Sequence, residues 1–186
     1  MGIQIINGMG NGGFAAGVNR EGRILTHSVI ETQDLHHTIM HQSYYEIPIH
    51  IESTTENSYF FYIENLDNHA LVTSDLEIST TTDQLITIYG NVSGTPIGDD
   101  VVPVNYYLGS TESAIGVFKN GSVVTGISGG RLLKNVFLKG GESTAHLFPQ
   151  DRIVLPRNSN MAFFCSNAAA EMYMNFSFYI NHFDEV

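Results

Sequence analysis

After residue 43 the chain alternates between apolar and polar positions with a period of two. Tyr45, Ile47, Ile49 and Ile51 alternate with Glu46, Pro48 and His50, the pattern of a strand with one buried face. Proline has no N–H to give to a ladder, so Pro48 predicts an edge strand. Tyr59 to Ile63 is apolar and aromatic throughout and predicts a central strand. Leu76 and Ile78 alternate with Asp75, Glu77 and Ser79; Leu85 to Tyr89 follows, then a Gly/Pro/Asp loop through Pro103. Further strands are predicted over 104–108, 132–138, 143–148, 152–155 and 160–166. The clearest alternation comes last. Met172, Met174, Phe176, Phe178 and Ile180 point one way, and Glu171, Tyr173, Asn175, Ser177, Tyr179 and Asn181 point the other. Turns are expected at Lys119-Asn120-Gly121-Ser122 and at Pro156-Arg157-Asn158-Ser159-Asn160. With no long helical pattern and no repeat, these short strands predict an all-β domain over 44–186. Its expected form is an antiparallel β-sandwich of jelly-roll type, which buries such faces without long exposed edges.

The first 43 residues follow a different rule. Residues 7–22 contain six glycines and no hydrophobic period. Glycine loses the most backbone freedom on ordering, so this stretch is expected to act as an extended N-terminal arm that takes shape against a partner. A short strand-like run covers Ile24 to Ile30, and Leu35 and Ile39 would suit one or two helical turns over 33–42.

Composition narrows the function. Of 186 residues only 15% are charged, and the net charge is −11. Such a surface repels phosphate backbones, so no nucleic-acid partner is expected. The charge is uneven: Lys119, Arg131, Lys134, Lys139, Arg152 and Arg157 face only Glu142 and Asp151 over residues 119–157. This basic band on an acidic chain could meet an acidic neighbour or another copy. A single cysteine, Cys165, excludes a disulfide framework within the chain and reads as a buried thiol. No apolar run is long enough to span a membrane, so no membrane partner is expected. Met1-Gly2-Ile3-Gln4 shows neither a signal peptide nor, with Ile6, a myristoylation signal.

The motifs that suggest chemistry lack the surroundings the chemistry needs. Gly8-Met9-Gly10-Asn11-Gly12-Gly13 matches a dinucleotide fingerprint, but no βαβ unit follows to aim amides at a pyrophosphate. Gly126-Ile127-Ser128-Gly129-Gly130 matches a nucleophile elbow, with Asp151 and His182 in the required order. Yet the next residues alternate like a strand, so a Gly/Ser hairpin loop is the expected form. His36, His37 and His41 gather near Glu31 and Asp34, without an H-E-x-x-H or His-x-His pattern. The sequence therefore predicts no catalytic residue, no cofactor and no metal ligand. The sequons at Asn91, Asn120 and Asn175 carry no weight without a secretory signal. Tyr44-Tyr45, Tyr59-Phe60-Phe61-Tyr62 and Tyr106-Tyr107 suit packing, and alternatively a carbohydrate- or receptor-binding platform.

One stretch looks familiar. Gly10-Asn11-Gly12 through Ala15-Ala16-Gly17-Val18-Asn19-Arg20-Glu21-Gly22-Arg23-Ile24-Leu25-Thr26-His27-Ser28-Val29 resembles the opening of small virion structural proteins of tailed bacteriophages, many of them marine or cyanobacterial phages. Leu155-Pro156-Arg157-Asn158-Ser159-Asn160 and the long final strand are also similar, while His36-His37 and the low lysine content depart from the pattern. The resemblance implies a non-enzymatic virion component with a jelly-roll-like body: a head fibre or capsid decoration protein, or a neck/tail part. Its partners would be its own copies, with a trimer expected, and the major capsid protein or neck/tail proteins of the same virion. It would be located in the virion, assembled in the host cytoplasm. The docking arm would use Gly8, Gly10, Gly12, Phe14, Ala15, Ala16, Val18, Arg20, Arg23 and Leu25.

Overall fold

The computed structural model describes residues 17–18, 24–25, 41–141, 144–148, 152–168 and 171–182. The chain divides into two compact units, Met1–Thr32 and Gln33–Val186. In the first, β1 (Gly17–Val18) pairs antiparallel with β2 (Ile24–Leu25). The helical turns expected over 33–42 lie outside the described residues, apart from positions 41 and 42, which are not helical.

The second unit is all-β, with no helix among the described residues, hence none long and apolar enough to cross a membrane. Its strands are β3 (Tyr44–Ile51), β4 (Ser58–Asn65), β5 (Ala70–Thr80), β6 (Gln84–Gly90), β7 (Ser93–Asp100) and β8 (Val104–Asn105). Then follow β9 (Gly116–Ser128), β10 (Arg131–Leu138), β11 (Ala145–Leu147), β12 (Val154–Leu155), β13 (Asn160–Cys165) and β14 (Met172–Asn181). They form two six-stranded sheets. Sheet I runs β11-β5-β14-β3-β8, with β12 also on β5, and sheet II runs β10-β6-β13-β4-β9-β7. Every pairing is antiparallel.

The alternating pattern sets the faces. On β14 the residues Met172, Met174, Phe176, Phe178 and Ile180 are all buried, as are Tyr45, Ile47, Ile49 and Ile51 on the adjoining β3. The two sheets share one core. Phe61 and Phe163 of sheet II lie 5.9 and 6.1 Å, centroid to centroid, from Phe176 of sheet I. Phe176 in turn lies 5.9 Å from Phe178, which stacks on Tyr45 at 5.4 Å and on Phe118 at 5.7 Å. Offset and edge contacts of this kind add about 0.5–1.5 kcal/mol per pair to the gain from burial. Cys165 belongs to this core, its thiol facing the carbonyl of Thr55 at 3.3 Å. Pro48 occupies a stretch of β3 beyond the two-residue β8, which pairs only with Tyr45 and Glu46, so its missing N–H interrupts no ladder there.

Three expectations differ from the structure, and all three lie on one ribbon. The loop expected up to Pro103 contains β7, and the turn expected at Lys119–Ser122 lies inside the 13-residue β9. β6 pairs with β10 and β7 pairs with β9, with Gly90 opposite Arg131 and Ser93 opposite Ser128. The ribbon turns a corner at residues 91–92 and 129–130, so its halves lie on opposite sides of the β13–β4 pair. Because β9 and β10 are not neighbours, the glycine-rich stretch at 126–130 is a corner rather than a hairpin loop.

Candidate functional site

The outer face of sheet I gathers polar side chains from three strands. Strand alternation points Glu46, Pro48 and His50 of β3, Asp75, Glu77 and Ser79 of β5, and Tyr173, Asn175 and Ser177 of β14 away from the core. Register then sets them in rows. Ser79, Tyr173 and His50 form one; His146, Glu77, Asn175 and Pro48 the next; Asp75, Ser177 and Glu46 the third. The His50 and Tyr173 rings stack at 4.4 Å and 3°, beside a groove of about 340 Å³ floored by Pro48, Glu77, Ser79 and Asn175. A flat ring stack next to a carboxylate and an amide suits a ligand with both an apolar face and hydroxyl groups. Further along, Tyr106 donates a hydrogen bond to Glu46 and meets Tyr44 edge-on at 5.2 Å. The Glu46 bond, with burial and the Glu46 charge, pushes the Tyr106 phenol up to about 12.

A second polar region lies at the end of β14. The His182 ring is 4.6 Å from His69 and 5.9 Å from His41, and Asp67 Oδ1 stands 3.0 Å from His69 Nδ1. His41, Asp67, Glu112 and His182 line a cavity of about 460 Å³. Burial, followed by the neighbouring His69, holds the His182 imidazole below its ordinary range.

The outer face of sheet II carries an apolar cluster. Tyr59, Tyr89 and Phe164 form a ring cluster with centroids 5.3–6.1 Å apart, over a small buried group of Tyr62, Val92, Val124 and Ala162. Towards the β10 edge, Phe137 lies opposite Leu85 and Leu132 opposite Tyr89. Phe137 is 67% exposed and Leu132 53%, which is unusual for large apolar groups in one region.

Of the arm residues, Val18 lies in β1 and Leu25 in β2. Gly8, Gly10, Gly12, Phe14, Ala15, Ala16, Arg20 and Arg23 lie outside the described residues, as do Glu31, Asp34, His36 and His37. His41 is instead brought together with His69 and His182. Ser128 is the last residue of β9 and is followed after two glycines by β10, so the strand-then-helix geometry of a nucleophile elbow is absent there. In the aromatic runs, Tyr45, Phe60, Phe61 and Tyr62 belong to the interior, while Tyr106 and Tyr107 are exposed. Comparison of the chain with protein-family models, with curated proteins and with solved structures finds no match.

Proposed function

We propose that this chain is a non-enzymatic structural subunit of a bacteriophage virion. Residues 44–186 would form a jelly-roll type β-sandwich that assembles with copies of itself, and residues 1–43 an arm that docks onto the capsid or the neck/tail. The resemblance of the N-terminal stretch supports the setting. The observation that carries self-assembly is the apolar cluster on the outer face of sheet II, with Phe137, Leu132 and Leu85 exposed around the Tyr59, Tyr89 and Phe164 rings. Six strands about 4.8 Å apart and about seven residues long make a face of roughly 600 Å². That approaches the ~800 Å² each partner gives to a standard interface. A second copy is the fitting occupant on charge grounds. The strands of this sheet carry Lys119, Arg131 and Lys134 against Glu64, Asp99 and Asp100, no net charge on a chain of −11, so copies meeting here keep most of their acidic surface apart. If the face meets its own copy the product is a two-fold dimer; the trimer that the resemblance implies requires it to meet a different patch of the next copy and so close into a ring.

Light scattering on the full-length chain tests this. The expected result is a closed oligomer that a Leu85→Asp, Phe137→Asp double variant converts to monomers with unchanged circular dichroism. A monomeric wild-type chain overturns it. Deleting residues 1–30 is expected to abolish incorporation into virions, and normal incorporation would overturn the role of the arm.

The groove beside His50 and Tyr173 favours a second reading, a carbohydrate-binding module. Binding on a glycan array that Tyr173→Ala removes would support it, and an array without binding would count against it.

A further inference from the structure

The geometry points to a divalent transition-metal site formed by Asp75, Glu77 and His146 on the outer face of sheet I. The inference is independent of the assembly reading. Asp75 and Glu77 lie two residues apart on β5 and so share a face, and β11 sets His146 directly opposite Glu77. One ligand atom from each of the three lies within 4.8 Å of the others. His146 Nδ1 is 3.5 Å from Asp75 Oδ2 and 3.6 Å from Glu77 Oε1. These separations are long for hydrogen bonds. They match the edge of a tetrahedron, about 3.4 Å when metal–ligand bonds are about 2.0–2.2 Å, as around Zn²⁺.

The remaining oxygens are already committed in the way a metal site requires. Asp75 Oδ1 accepts the backbone N–H of Leu76 at 2.9 Å, and Glu77 Oε2 accepts Asn175 Nδ2 at 3.3 Å. Each carboxylate is therefore oriented by a donor on one oxygen and turns the other towards His146, which is how outer partners fix metal ligands. Two carboxylates and a neutral imidazole carry a charge of −2, which a divalent ion balances. An imidazole with two carboxylates suits Zn²⁺ over Ca²⁺ or Mg²⁺, which prefer oxygen ligands alone. Glu77 also lines the groove beside Tyr173, so the ion would sit at one end of that groove with its fourth position open to water.

Calorimetric titration of the full chain with Zn²⁺ at neutral pH tests the site, with Co²⁺ as an absorbing substitute. The expected result is one ion per chain and tetrahedral Co²⁺ bands. His146→Ala and Glu77→Gln are each expected to weaken binding at least about tenfold, and Asn175→Ala by ~10-fold or more through loss of orientation. His69→Ala, in the separate histidine cluster, should leave the affinity unchanged. No Zn²⁺ binding, or binding that survives His146→Ala and Glu77→Gln, overturns the proposal. So does loss of binding in the His69→Ala chain. Circular dichroism of each variant separates lost ligation from lost folding, and the half-exposed positions are expected to tolerate the changes.

Discussion

The side-chain amide of Asn160 holds the backbone of Val92 in both directions: Oδ1 accepts the Val92 N–H at 2.8 Å and Nδ2 donates to the Val92 carbonyl at 3.1 Å. The neighbouring Asn91 N–H donates to the Asn160 carbonyl at 3.0 Å. Val92 lies where the ribbon leaves β6 for β7, so its peptide groups have no strand partner at the corner. Asn160, the first residue of β13, supplies one. Gln84 does the same for Asn167, donating from Nε2 to its carbonyl at 2.8 Å and accepting its N–H at 3.2 Å.

Asn160→Ala is accordingly expected to destabilise the fold by about 1–3 kcal/mol, the cost of leaving buried donors and acceptors unmade. Urea unfolding should show a lower midpoint with an unchanged slope. A midpoint equal to that of wild type would mean that water replaces the amide at no cost.

The other side of the corner separates two adjacent glycines. Gly130 has φ of 106°, and a Cβ there would stand 2.7 Å from Val92 Cγ1. Gly129 has φ of 67°, and its Cβ would meet nothing within 4 Å. Gly130→Ala is expected to cost about 1–3 kcal/mol through backbone strain and overlap. Gly129→Asn should stay within about 0.5 kcal/mol of wild type, since asparagine tolerates the left-handed region. Thermal melts of both variants check the order.

This corner also marks the limit of what the sequence discloses. Period-two alternation is enough to read β3, β14 and the 75–79 stretch of β5 with the face each turns inward, because each has one side in the core. β4, buried on both faces, is legible only from its apolar and aromatic composition, and β6 is placed without a face. β7 was hidden because Ser93-Gly94-Thr95-Pro96-Ile97-Gly98 has the composition of a loop. In the structure a Cβ at Gly94 would meet the Gly126 carbonyl oxygen at 2.0 Å, so the ladder itself requires glycine. The same holds for Gly126, whose Cβ would meet the Thr95 carbonyl oxygen at 2.2 Å, while Gly130 is held by its positive φ and the Val92 side chain; both are positions of the apparent nucleophile elbow. Their spacing reflects the geometry of the corner. The Asp75, Glu77 and His146 group was half legible: the first two share a strand face by spacing, but His146 joins only through the β11–β5 register, which no local pattern encodes.

Phe176 ties the two sheets together, in ring contact with Phe61, Phe163 and Phe178 while itself fully buried. Phe176→Ala is expected to cost about 3–5 kcal/mol, because the neighbouring rings cannot all close the cavity. Phe176→Leu should lose less. A reversal of that order in chemical denaturation would place the main contact between the sheets elsewhere.

The histidine cluster predicts a dependence on acid. Burial, then His69, and more weakly His41 hold His182 below its ordinary value of 6.5, against the opposing charges of Asp67 and Glu112. The unfolded chain therefore takes up this proton at a higher pH than the folded chain, and acid favours unfolding across the interval between the two values. Stability is expected to fall as the pH drops from about 6.5, and the loss is complete below the folded-state value. His182→Gln, which does not titrate, should flatten that part of the curve. The carboxylate of Asp83, lowered by the Gly140 N–H and Lys139, loses its contribution only below its ordinary value of 3.8. The two limbs are thus distinct. Denaturation midpoints measured from pH 8 to pH 3 in wild type and His182→Gln would show the difference confined to the upper limb. An identical slope in both chains would mean that the histidine cluster reorganises on protonation without loss of stability.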